Sequence, residues 1–141
     1  MKLGSPEYLE AMKEATNADA EYRRLAKSES ESYLLVLEAE PTRGVPETIV
    51  CGYQLRNGEI VEVWQGERKT DFVISGPYGV WVDILCGKLG PTKALTMRRL
   101  KVRGNFLRLL ATGDSTIRWV QVLRTIPTEF EGDYAGRRMS G

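Results

Sequence analysis

The dipeptide Asn57-Gly58, set between two runs of alternating apolar residues, constrains the fold more than any other feature of the chain. A two-residue hairpin turn whose twist matches its strands needs positive φ at both positions, and Asn-Gly supplies this at least cost. Upstream, Ile49, Cys51, Tyr53 and Leu55 alternate onto one face. Downstream, Ile60-Val61-Glu62-Val63-Trp64 forms the return run. The spacing predicts strands over 48–55 and 60–64. Residues 33–40 are nearly continuously apolar up to Glu38, the pattern of a strand covered on both faces. Pro41, Gly44 and Pro46 separate it from the hairpin, and Gly66 with Glu67-Arg68-Lys69 makes a further turn. Residues 71–75 then read as a fourth strand. Such short connections predict a meander with antiparallel neighbours.

At Gly76-Pro77 the period changes from two to that of a helix. Tyr78, Trp81, Val82, Leu85 and Leu89 recur on one face, with Ile84 beside them, and predict a helix over 78–89. Pro91 opens a short helical turn. Residues 98–103 alternate again as a fifth strand, with Leu100 and Val102 inward and Arg99, Lys101 and Arg103 outward. A last helix begins after Gly104-Asn105, with Phe106, Leu109, Leu110, Ile117, Val120 and Leu123 along one side and an interruption at Gly113-Asp114-Ser115. At the other end, Ser5 and Pro6 start a helix over 6–27 that Asn17 and Asp19 weaken enough to divide. The order implies an α+β domain: a five-stranded, mostly antiparallel sheet covered on one face by helices. It occupies residues 1–127, followed by a polar, loosely held tail over 128–141.

Composition removes several functions. There is no histidine, so triads that need an imidazole base cannot be built. Twenty basic and nineteen acidic side chains give a net charge of +1, too little for a field that gathers nucleic acid. Cys51 and Cys86 form no paired motif and read as small hydrophobes, although a disulfide between them stays open. No metal or cofactor is expected. The Gly76-Pro77-Tyr78-Gly79 turn lacks both the phosphate-loop and the dinucleotide-binding patterns and reads as structural. Neither a secretory leader nor a membrane span is visible, which makes the cytoplasm the expected location.

One ordered set of motifs is more specific. Leu55-Arg56-Asn57-Gly58 is followed by residues 67–75, beginning Glu67-Arg68-Lys69-Thr70-Asp71, and by a helix bearing Trp81. Then come Gly87-Lys88-Leu89-Gly90-Pro91 and Leu100-Lys101-Val102-Arg103-Gly104-Asn105. Taken together over residues 30–125, this set resembles the sterol carrier protein type 2 family, and its prokaryotic branch in particular. Asn105 stands where that family usually has an acidic residue. The resemblance implies an apolar tunnel between sheet and helices. It also implies non-catalytic binding, and transfer, of a sterol-like molecule, phospholipid, fatty acid or fatty acyl-CoA.

On that basis the expected lipid-binding residues are Trp81, Ile84, Leu85, Leu89, Leu100, Phe106, Leu110, Ile117 and Val120. Periodicity alone reads the same residues as ordinary core, so an interaction or dimerisation domain with a closed core stays open. Lys88, Lys93, Arg98, Arg99, Lys101, Arg103 and Arg108 form a basic run, either a solvated face or a contact for lipid head groups and anionic membranes. No aromatic residues interleave it to stack on bases, so nucleic acid is not an expected partner. A homodimer is.

Overall fold

The computed structural model describes residues 1–139. Residues 140 and 141, the last of the expected tail, lie outside them. Helix α1 (Pro6–Ala18) starts where Ser5 Oγ accepts the Tyr8 N–H at 3.2 Å, with Pro6 in the first turn. Asp19 leaves helical geometry at ψ 106° and ends α1. Its carboxylate then accepts the Tyr22 N–H at 2.8 Å and caps α2 (Ala20–Leu25). One residue thus stops one helix and starts the next.

The sheet contains β1 (Ser32–Glu38), β2 (Ile49–Arg56), β3 (Glu59–Gln65), β4 (Phe72–Pro77) and β5 (Lys101–Arg103). Asn57 and Gly58 take φ of 50° and 75°, as the hairpin requires. The strand order is β3-β2-β1-β4-β5. Three of the four pairings are antiparallel, but β4 lies parallel to β1, with Tyr33 opposite Phe72. The meander expectation is therefore corrected at this point. The chain leaves β3, passes over β2 and β1, and enters on their far side. Residues 66–71 make the passage on the face away from the helices, where Glu67 to Asp71 share a groove with Leu34, Val36 and Val73. Arg68 sits over the Trp64 ring, 4.0 Å from its centre, and Gly52 leaves room for that ring.

After β4 the chain turns into α3 (Tyr78–Leu85), α4 (Pro91–Thr96), β5, α5 (Phe106–Ala111) and α6 (Gly113–Leu123). Helix α3 is shorter than the 78–89 expectation because Gly87, at φ 80°, turns the chain out of the helix. The fifth strand begins at Lys101 rather than at residue 98. Residues 98–100 are spent leaving α4, with Arg98 at φ 57° and the N–H groups of Arg99 and Leu100 both bonded to Ala94 O. All the helices lie on the sheet face that carries Tyr33, Leu35, Cys51, Tyr53 and Phe72, and the core forms between the two layers.

The segment after Pro127 is not loose, as far as residue 139. The Glu129 N–H donates to Met1 O at 2.7 Å, and the Leu3 N–H donates to Glu129 O. Phe130 and Tyr134 are both buried. The Tyr134 hydroxyl lies against Gly79 and donates to the Glu40 carboxylate at 3.0 Å. Polar composition concealed two aromatic anchors, four residues apart.

Candidate functional site, an apolar channel between helices and sheet

The inner face of the sheet supplies a floor of Leu35, Leu37, Cys51 and Ile74. Strand periodicity puts these on one side, because residues two apart share a face. Above the floor lie Tyr8, Leu9 and Met12 of α1, Trp81, Ile84 and Leu85 of α3, and Trp119, Val120 and Leu123 of α6. They enclose a cavity of about 100 Å³ whose exposed lining is almost wholly apolar.

A second compartment of about 50 Å³ lies under α5. Ile74, Leu95, Thr116 and Trp119 line both compartments and stand between them. Here the lining changes character, because Tyr22, Tyr33, Tyr53, Glu29 and Ser115 bring polar atoms. The Tyr33 ring stacks between Tyr53 and Phe72, at 4.9 and 5.2 Å between centres. Trp119 closes on Tyr53 at 5.1 Å and donates its indole N–H to Thr16 Oγ1 at 3.1 Å. Glu29 Oε2 accepts the Ser115 hydroxyl at 2.7 Å. Burial, and then the neighbouring Glu31, push the Glu29 carboxyl above the usual carboxylate range, against the opposing pull of that hydrogen bond. Glu31 is buried and paired with Arg108 of α5. Leu109 is the one buried residue of α5, so this helix roofs the polar end with little of its own surface.

Of the nine expected lining residues, Trp81, Ile84, Leu85, Leu100 and Val120 meet in the larger compartment. Leu89 has left the helix and packs half-buried against the core from outside. Leu110 is half-buried and lines neither compartment. Phe106 and Ile117 face outward, at 38% and 44% exposure. The expectation set Phe106 to Leu123 along one side, with an interruption at Gly113-Asp114-Ser115. The break at Thr112, whose hydroxyl bonds Leu109 O at 2.7 Å, resets the helical phase, so Leu109 and then Thr116, Trp119 and Val120 point inward. Tyr8, Leu9, Met12, Leu35, Leu37 and Trp119 were not expected as lining. Their signal lay in the α1 stripe and in the alternation of β1.

Cys51 is buried and its thiol is pushed up to about 12 by burial, so it is protonated and unreactive at neutral pH. Both cysteines are free. On the surface, Lys88, Lys93, Arg98, Arg99, Lys101 and Arg103 are exposed and make no ion pair among the described residues. Beside them Met97 and Leu107 stand 56% and 78% exposed. Phe106 shares a shallow groove with Arg98 and Lys101. No helix among the described residues is long and apolar enough to cross a membrane.

Comparison with known proteins agrees with this geometry. A crystal structure of sterol carrier protein 2 superposes with a TM-score of 0.80 at 25% identity, covering 89% of this chain and all of that one. The solution structure of a conserved hypothetical protein of Thermus thermophilus, described as possibly a sterol carrier protein, gives 0.79 at 25% identity, over 91% of this chain and 92% of that one. The sterol carrier protein domain 2 of Helicoverpa armigera shares the fold at 20% identity, with a TM-score of 0.56 over 86% of this chain and 88% of that one. A search of curated proteins finds no match. Residues 9–111 match the model of the SCP-2 sterol transfer family, and they include most of α1, the whole sheet, the tryptophan helix and the roof of the channel. By sequence and by fold, the chain belongs to the SCP-2 sterol transfer family.

Proposed function

We propose that this chain holds the apolar part of a lipid between its helices and its sheet, performs no chemistry on it, and exchanges it at an anionic membrane surface. The observation that carries this reading is the pair of adjoining compartments between helices and sheet, the larger apolar and the smaller partly polar. Ligand sites usually measure about 300–1,000 Å³. The larger compartment has about 100 Å³, so a lipid tail must displace part of the wall. Helix α5, with one buried residue, is the wall that moves at least cost.

Binding of this kind is reversible. Each methylene gains about 0.8 kcal/mol on leaving water. On leaving a bilayer it gains almost nothing, since lipid tails are equally apolar. Exchange therefore belongs at a membrane. The unpaired cations beside exposed Met97, Phe106 and Leu107 suit an anionic bilayer, each charge near the surface adding about 1 kcal/mol. Sterol-like molecules, phospholipids, fatty acids and fatty acyl-CoA all remain within the ligand class. A cytoplasmic location is part of the same reading, supported by two unpaired thiols.

The test is transfer of a fluorescent acyl lipid between vesicles. Transfer should be faster with anionic acceptor vesicles and should slow as salt screens the surface. Uptake should also shift the emission of Trp81 and Trp119, which line the channel. Absence of both transfer and uptake would refute the proposal. The small volume of the channel favours a second reading, a closed-core domain that binds another protein or a second copy of itself. Sedimentation showing a stable dimer, together with no lipid uptake, would select it.

A further inference from the structure

The polar compartment holds an unusual set of groups for the end of an apolar channel. Glu29 is half-buried, and its one side-chain hydrogen bond among the described residues comes from the Ser115 hydroxyl. It has no ion-pair partner there. Arg108, on the roof helix itself, is mostly exposed and committed to Glu31. The Tyr22, Tyr33 and Tyr53 side chains line the compartment, and none of their hydroxyls has a hydrogen-bond partner among the described residues. One acidic group, three phenols with unused hydrogen-bonding capacity and, among the described residues, no cation therefore line the place where a lipid head would end.

We infer that the channel selects a long apolar chain whose head donates a hydrogen bond and carries no negative charge, an alcohol rather than a carboxylic acid. The inference rests on the lipid-binding reading and narrows it. A head hydroxyl donates to the Glu29 carboxylate and accepts from a tyrosine, so both sides gain a partner that they lack. A carboxylate head has nothing to donate and meets Glu29 at close range. A second negative charge in a half-buried site is opposed by desolvation and by repulsion together. The raised carboxyl of Glu29 shows that even its own charge is poorly compensated there.

The experiment presents the full-length protein with equimolar hexadecan-1-ol and hexadecanoate at neutral pH. Gel filtration removes free lipid, and the retained lipid is extracted and quantified. The alcohol should be retained in about tenfold excess, a ratio that corresponds to roughly 1.4 kcal/mol. Glu29→Gln keeps an acceptor for Ser115 and removes the charge, and it should bring the ratio toward one by raising retention of the acid. Tyr33→Phe should lower retention of the alcohol alone. Equal retention or an excess of acid in the unmodified protein would overturn the inference, as would a ratio indifferent to Glu29→Gln. Retention of neither chain, by protein whose circular dichroism is native, would overturn the lipid-binding reading itself. Loss of selectivity and loss of binding are thus separate results.

Discussion

The two ends of the channel are built to different standards. At the α1 end, Met12 and Leu9 are 1% and 2% exposed, and Asn17 clips the helix to the sheet. Its side chain accepts the Ile60 N–H at 2.8 Å and donates to the Ile60 carbonyl at 2.9 Å, at the place where β2 and β3 shift register. At the α5 end, the roof is six residues long and fastened by Leu109 and the Arg108–Glu31 pair. The first end is closed by packing and the second by a latch. A cavity that must both hold and release a ligand needs this inequality, because the element that opens has to be drawn from the least stable part of the fold.

Truncation tests the contrast most strongly. Met12→Ala should destabilise the fold by about 2–5 kcal/mol, read as a fall in the denaturation midpoint. Leu107→Ala, on the outer side of the roof, should stay within about 0.5 kcal/mol of the unmodified protein. Comparable losses at the two sites would erase the distinction. Asn17→Ala should come next, at about 1–3 kcal/mol, because it orphans both backbone groups of a buried Ile60.

The Asp19–Arg118 pair, at 2.6 Å, joins the α1–α2 corner to α6 and gives a test by pH. The hydrogen bond from Arg118 holds the Asp19 carboxyl below its usual range. The contribution of a group depressed in this way is present above its unfolded pKa and disappears as pH falls through the folded one. Asp19→Asn should therefore cost stability at neutral pH, and its deficit should close below about pH 4. A small global effect is expected from Arg108→Ala, about 1 kcal/mol or less, since the arginine is 61% exposed. Its signature is local: amide exchange should quicken across α5 while α1 keeps its protection. Uniform quickening would mean that the roof is not a separate unit.

Much of this was legible in the sequence because it is written in short-range patterns. Asn57-Gly58 specified its hairpin, Ser5-Pro6 specified a helix start, and the alternation at Leu100 and Val102 specified a strand with its charges outward. What stayed hidden depends on contacts distant in sequence. Nothing local to residues 66–75 states that β4 will skip two strands to pair with β1. The inward turn of Leu109 rather than Leu110 depends on a break of a single residue at Thr112, which a helical period drawn across it conceals. Phe130 and Tyr134 look like tail until Tyr78 and Glu40 are placed beside them.

The parallel pairing of β1 with β4 also bears on the order in which this chain should fold. Strands β1, β2 and β3 join through short connections, whereas β4 joins only after a loop of 39 residues closes between Ser32 and Asp71, whose side chains bond each other's backbone N–H groups at 2.8 and 2.9 Å. Closure of a loop of that length costs about 3 kcal/mol in chain entropy before any contact offsets it. The three-stranded half should therefore gain amide protection before β4 does in a refolding experiment, and the space between sheet and helices is complete only once the Ser32–Asp71 staple has closed.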